Sequence, residues 1–272
     1  PVTITPATLT VSITNTDVSK VYDGTTNTPS TFAPTFSFSG FVTGDNAAVL
    51  QSTGAAYNSA NVVGATQIAL TGLSIDSISG TAGSRASDYA LDATTKTVAA
   101  TITPASLRVR ANDNAKFVTT TDPTFTASYA GFVNGESVTN LTGILSFARA
   151  TPTVNAAGEY QITASGLQSS NYNIQFLPGK LTIVPSNQLL VRVSNVTNTY
   201  GTATSYAVTS VEYYNGTQVI RLDNSSVAGS SVLVNSNNAV VVNDGSGAQA
   251  SFTLAPSGAL LSTSGAVRVL SL

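Results

Sequence analysis

Of the 272 residues only 9% are charged, 11 Lys and Arg against 13 Asp and Glu, for a net charge of −2. A surface this close to neutral carries no field for a polyanion, which argues against nucleic acid as a partner. The absence of Cys, His, Met and Trp removes disulfides, thiol nucleophiles and the usual zinc, copper and haem ligands. No cofactor is expected, and a Ser-His-Asp triad is impossible.

The chain opens in mid-pattern at Pro1, without an initiator Met or a basic and apolar leader, and reads as an excised piece of a longer polypeptide. Modest cores without disulfides point to a bacterial exported protein, so a secreted or surface location is expected. No apolar run approaches the length that spans a bilayer, and membrane insertion is not expected.

Ile4-Thr5-Pro6-Ala7-Thr8-Leu9 returns as Ile102-Thr103-Pro104-Ala105-Ser106-Leu107 and, more weakly, as Ile183-Val184-Pro185-Ser186. Spacings of about 98 and about 81 residues make the chain a tandem array. In the first repeat Leu9, Val11 and Ile13 alternate with Thr8, Thr10 and Ser12, and Phe36, Phe38, Val98, Ala100 and Ile102 continue the period of two. In the second, Leu107 and Val109, Phe125, Ala127 and Tyr129, Tyr160 and Ile162, and Ile174 and Phe176 do the same. Asp23-Gly24, Asn134-Gly135, Asn215-Gly216 and Asp244-Gly245 are turn signals that supply positive φ at little steric cost.

The expected fold is all-β: three tandem small β-sandwich-like (Ig-like) modules, residues 1–104, 105–185 and 186–272, forming an elongated rod. With strands of about ten residues at roughly 3.3 Å each, its length is on the order of 100 Å. Only Thr-Pro-Ala-Ser separates Ile102 from Leu107, too short a link for free tumbling. Internal landmarks repeat in order: Ser39-Gly40-Phe41-Val42-Thr43-Gly44-Asp45 with Ala130-Gly131-Phe132-Val133-Asn134-Gly135-Glu136, Gly72-Leu73 with Gly166-Leu167, and Asp88-Tyr89 with Asn171-Tyr172. The first repeat has extra length around Ile75 to Ser87, which is rich in Ser and Gly and reads as a long loop. The third keeps only Asn198-Thr199-Tyr200-Gly201-Thr202 against Lys20-Val21-Tyr22-Asp23-Gly24-Thr25, and is read as a divergent terminal unit.

Candidate sites are few. Asp76, Asp88 and Asp92 are the densest acid cluster in the first repeat and are expected to be turn residues and solubilising charges, so no enzymatic activity is expected. Asn112-Asp113-Asn114 and Asn243-Asp244-Gly245 have slight likeness to calcium loops and are better explained as Asx turns. An intramolecular Lys-Asn crosslink could draw on Lys20, Lys96, Lys116 or Lys180, provided an acid stands beside the pair. In the third repeat a two-residue Asn215-Gly216 loop pairs Tyr214 with Thr217 and Val211 with Ile220, placing Glu212, Tyr214 and Arg221 on one outward face. An exposed ring flanked by charges suits sugar stacking, so these three residues are the carbohydrate-binding candidates; a cross-strand ion pair beside a surface tyrosine explains them as well. Exposed Thr- and Val-rich edge strands would also permit self-association.

The stretch Lys20-Val21-Tyr22-Asp23-Gly24-Thr25-Thr26, followed by Gly40-Phe41-Val42 and Asp88-Tyr89, resembles the YDG-type repeat domain of very large bacterial surface and secreted adhesins. Tyr129 to Glu136, Ala157 to Ile162, Gly166-Leu167, Asn171-Tyr172 and Leu181 to Pro185 resemble its companion, the MBG-type repeat. The resemblance implies Ig-like or ubiquitin-like β modules strung as stalks in adhesins of the filamentous haemagglutinin type. Some of these bind exopolysaccharide in biofilms, so exopolysaccharide or a host-surface glycan is an expected partner. It supplies no catalytic residues. Tyr22, Asp23 and Gly24 are read as a structural turn behind an aromatic plug.

Overall fold

The computed structural model describes residues 2–81, 83–186, 188–193, 199–201, 208–214, 216–221, 230–234, 239–244, 249–254, 260–264 and 268–271. Apart from two single-turn 3-10 segments, Ala86–Asp88 and Val138–Asn140, every regular element among these residues is a strand. No helix among them is long and apolar enough to cross a membrane.

Alternation sets the first strand. β1 (Ala7–Ile13) buries Leu9 and Val11 and exposes Thr8, Thr10 and Ser12. The chain then changes sheet through Thr14 to Asp17, with Asp17 in the left-handed region at φ 54°, and enters β2 (Val18–Val21). There follow β3 (Phe36–Ser39), β4 (Asp45–Gln51), β5 (Gly54–Tyr57), β6 (Gln67–Thr71), β7 (Ser74–Gly80), β8 (Tyr89–Leu91) and β9 (Lys96–Thr103). Two main sheets result, ordered β3-β1-β8 and β2-β9-β6-β5. The β1–β8 and β2–β9 pairs are parallel, because each joins strands separated by most of the repeat. The segment read as a long loop is in part a strand: β7 pairs antiparallel with β4, Ala48 opposite Ile78 and Leu50 opposite Ile75.

After Pro104 the pattern restarts with β10 (Ala105–Ala111), β11 (Asn114–Phe117), β12 (Ala127–Ala130), β13 (Thr142–Arg149), β14 (Gly158–Gln168), β15 (Tyr172–Leu177) and β16 (Gly179–Val184). The orders β12-β10-β15 and β11-β16-β14-β13 repeat those of the two main sheets before them. Equivalence extends to single residues. Lys20 stands opposite Ile102 and Lys116 opposite Ile183 in the two parallel pairs. Gly40 (φ 100°) and Gly131 (φ 114°) each turn so close to the first strand that a Cβ would lie 2.4 Å from Thr8 O or 2.3 Å from Ser106 O. Only glycine fits such a turn.

The third region departs from this plan. β17 (Gln188–Val193), β18 (Val208–Tyr214) and β19 (Val219–Arg221) join the strand Arg268–Ser271 in a sheet ordered β19, β18, β17 and then that strand. The strands Ser230–Val234, Ala239–Asp244, Gln249–Leu254 and Leu260–Ser264 form an antiparallel meander. The expected hairpin exists, in a different register: Tyr214 pairs with Val219, Tyr213 with Ile220 and Glu212 with Arg221, which lengthens the loop by two residues. Gly216 keeps the positive φ expected of it, at 99°.

The residues cluster into two compact units. The first comprises Pro1–Arg108, Tyr129–Ile144 and Leu167–Gln175, and buries Leu9, Val11, Ile68, Leu70, Ala100, Ile102 and Leu107. The second comprises Val109–Ser128, Leu145–Gly166 and Phe176–Leu272, and buries Val109, Phe117, Ile162, Leu181, Ile183, Val184 and Leu190.

Candidate functional site: a carboxylate gripped by two tyrosines

Within the first unit the Tyr-Asp-Gly turn meets residues that follow Pro104 in the chain. β2 runs parallel to β9, and the next residue, Tyr22, donates its N–H to Thr103 O at 2.8 Å. This fixes the ring at the strand end, where it is 4% exposed. Its hydroxyl donates to Glu136 Oε1 at 2.6 Å, and the Tyr172 hydroxyl donates to Glu136 Oε2 at 2.5 Å. The two rings meet edge to face with centroids 5.4 Å apart, and Phe132 meets Tyr172 the same way at 5.6 Å. Val133 N–H donates to the Tyr172 oxygen at 3.2 Å. Both carboxylate oxygens of Glu136 are thus engaged by phenols, which are strong partners for a charged acceptor.

Burial, and then the bond to Glu136, push the Tyr22 and Tyr172 hydroxyls above their ordinary pKa, so both are protonated donors at neutral pH. Such a cluster holds no free base and no activated nucleophile; it can fasten. Three further contacts tighten it. Asn134 Nδ2 donates to Gly24 O at 3.2 Å, and a Cβ on Gly24 would lie 2.8 Å from that of Asn134. Asn171 Oδ1 accepts from Val62 N–H at 3.0 Å, and its Nδ2 donates to Asn61 Oδ1 at 2.9 Å.

Asp23 and Gly24 form the expected turn. Gly24 adopts φ 73°, and Asp23 accepts from Thr25 N–H at 2.9 Å and from Lys20 Nζ at 2.7 Å. Partial burial of Asp23 opposes its ionisation, yet these bonds hold it below the usual carboxylate range. Lys20 also donates to Thr25 O and Asn27 O, both at 2.8 Å, and lies over the Tyr57 ring.

The other candidates fall apart as groups. Asp76 accepts from Gln51, Asp88 from the Arg85 N–H, and Asp92 from Val11 N–H and Lys96. Asn112 bonds Thr126 and Ser128, and Asp113 accepts from Lys180 N–H. Asn114 accepts from Arg192 and Ala115. Among the described residues no three or more acidic side chains gather around a common point. Gly245 lies outside the described residues.

One expectation is corrected. Tyr214 does not face outward with Glu212 and Arg221; it is 6% exposed and belongs to an apolar cluster with Ala115, Phe117, Val184 and Leu190 in the second unit. Its ring lies 5.9 Å from that of Phe117, and its hydroxyl donates to Gly216 O at 2.8 Å. A ring so covered offers no face to a sugar. Glu212, half-buried, and Arg221, exposed, remain opposite each other on the hairpin.

Glu136, Tyr172, Asn134 and Asn171 were legible only as repeat landmarks. Their internal counterparts show the common part: Tyr89 donates to Asp45 Oδ2 at 2.7 Å and accepts from Val42 N–H at 2.9 Å. Glutamate in place of aspartate gives the second repeat the extra reach.

The landmarks and the repeated sheet order together define tandem β-repeat modules. Residues 5–98 match the family described as the YDG domain. Residues 107–182 match the MBG domain, YGX type. No curated protein matches the chain.

Proposed function

We propose that this segment is a non-enzymatic spacer in a large secreted bacterial adhesin, in which YDG- and MBG-type modules and a divergent third module follow one another as a stiff stalk at the cell surface or in a biofilm matrix. The observation that carries this reading is the Glu136 carboxylate, engaged by Tyr22 from one matched segment and Tyr172 from the other. A chain passing through Pro104 alone, with no flexible linker and with a polar latch beside it, transmits orientation and force.

The absence of cysteine makes site-specific spin labelling direct. With labels at Thr31→Cys and Gln168→Cys, both exposed, the expected result is one narrow distance distribution, broadened by the added pair Tyr22→Phe and Glu136→Gln. A broad distribution in the otherwise native chain would remove the stiff-spacer reading.

A second reading, carbohydrate binding, is favoured by a surface groove of about 420 Å³ in the second unit, lined by Arg110, Asp113, Glu159, Tyr160, Gln161 and Lys180. An aromatic residue among paired charges is the chemistry expected of a sugar site, located here in the MBG-matching segment instead of the third region. Saturable binding to a polysaccharide panel that is lost in Tyr160→Ala supports it; no binding by the folded protein eliminates it.

A further inference from the structure

Lys116 lies on β11 with its side chain 4% exposed, and all three of its donors are committed. Nζ donates to Asp122 Oδ1 at 2.7 Å, to Asn155 Oδ1 at 2.7 Å and to Thr120 O at 2.9 Å. A carboxamide and a carboxylate therefore each stand within one hydrogen bond of the Lys116 amine, all in the second unit.

The neighbours keep them there. Arg149, 2% exposed in its side chain, donates Nε to the other oxygen of Asp122 at 2.7 Å. Its Nη1 donates to Val154 O at 2.8 Å and its Nη2 to Pro152 O, so it grips the two residues that lead into Asn155 through Val154. The guanidinium in turn lies over the Tyr160 ring, 5.3 Å from the centroid. Asn155 is thus presented to Lys116 by a clamp on the backbone just before it, and Asp122 is oriented by a cation that cannot give up its proton.

We propose that Lys116 and Asn155 join in an intramolecular amide crosslink, with Asp122 as the proton carrier. Asp122 takes a proton from the Lys116 ammonium, which frees the Nζ lone pair. Rotation about the Asn155 Cβ–Cγ bond, a soft torsion, swings Oδ1 aside and turns the face of the carboxamide toward Nζ. The lone pair attacks Cγ, the Nζ–Cγ bond forms, and the carbonyl electrons move to Oδ1. They return as the Cγ–Nδ2 bond breaks, with Nδ2 protonated by Asp122. The new amide keeps a single hydrogen on Nζ, and the remaining hydrogens leave with Nδ2 as ammonium. Nothing is oxidised or reduced. Intermolecular aminolysis of an amide is slow, and holding the partners in place is what accelerates it.

Lys20 is the internal control. It occupies the equivalent strand position, opposite Ile102 as Lys116 is opposite Ile183. Yet its Nζ meets the Asp23 carboxylate, Thr25 and the backbone oxygen of Asn27, and no side-chain carboxamide. The second repeat carries the crosslink and the first does not. Bonding β11 to the loop between β13 and β14 closes a long covalent ring across the repeat, which suits a segment under tension.

The test is the mass of the purified chain. The expected result is a protein lighter than its sequence by one ammonia, yielding after trypsin a branched peptide that joins the segment holding Lys116 to that holding Asn155. A succinimide at an Asn-Gly bond has the same mass, so the branched peptide decides. Asn155→Asp should form the same bond with loss of water in place of ammonia, and Asp122→Ala should retain the full sequence mass. A native chain cleaved by trypsin after Lys116, with Asn155 in a linear peptide, would overturn the proposal, and that result does not depend on whether any variant folds.

Discussion

The ends of β2 and β11 are the same place in two repeats, and they are finished in opposite chemistries. Tyr22 donates its N–H to Thr103 O and Val118 donates to Val184 O, each at the residue before a proline. Beyond that shared bond the first strand end presents a phenol to a carboxylate, whereas the second adds Val118 to the apolar cluster of Phe117, Val184, Leu190 and Tyr214. A β-repeat thus holds its own fold with one set of residues and chooses its neighbour with the single residue that follows the second strand. Polar fastening gives direction and pH sensitivity; apolar fastening gives area.

The largest break in that comparison is Phe117→Ala. Its side chain is 1% exposed, and emptying such a site costs about 3–5 kcal/mol through lost transfer energy and a residual cavity. Urea unfolding followed by circular dichroism should show the midpoint fall accordingly. The equivalence of the two repeats is sharpened by Gly40→Ala and Gly131→Ala. Both residues have positive φ and both would drive a Cβ against a carbonyl oxygen, so each should destabilise by about 2–3 kcal/mol from strain and overlap. A clear inequality between them would show that the repeats only look alike.

Much of this was legible in the sequence because it is local or repeated. Alternation located β1 and β10 through Leu9, Val11, Leu107 and Val109, all buried, and the Gly-Phe-Val landmarks marked two copies of one turn. The strand β7 was not legible, since Ser-Ile-Asp-Ser-Ile-Ser-Gly buries no residue fully and what ties it to β4 is the backbone ladder and the exposed Gln51–Asp76 bond. Nor was the burial of Tyr214, because the residues that cover it, Phe117 and Val184, are distant in sequence and an outward-looking polar face was the simpler local reading. Glu136 was visible as a motif letter, but its role depends on Tyr22, which only the fold brings within reach.

The polar fastening is next in size. Glu136→Gln leaves one phenol facing an amide N–H₂ and should destabilise by about 2 kcal/mol, since bonds to a charged acceptor are among the stronger ones. Its pH dependence separates it from the apolar cluster. The Tyr22 and Tyr172 pKa values are raised, by burial first and by Glu136 second. Their stabilisation is therefore complete below the unfolded tyrosine value of about 10 and is lost as pH rises through the higher folded values. On the acid side, burial opposes the ionisation of Asp23, but its bonds to Lys20 and Thr25 outweigh that and hold it low. Its contribution is intact above about pH 4 and is lost as pH falls through the folded value. Unfolding midpoints measured across alkaline pH should decline in the native chain and decline less steeply in Glu136→Gln, where burial still raises both tyrosines.

Tyr214→Phe gives the smallest effect and discriminates most finely. The substitution keeps the ring against Phe117 and removes only the bond to Gly216 O, so it should cost about 1 kcal/mol. Tyr214→Ala removes the ring itself and should cost about 3 kcal/mol or more. If the ring instead served a ligand, both substitutions would leave stability nearly unchanged while any glycan binding fell. The ratio of the two stability losses thus reports whether Tyr214 acts as a wedge in the second cluster, and hence whether the third region is fastened by apolar area where the first two are fastened by a shared carboxylate.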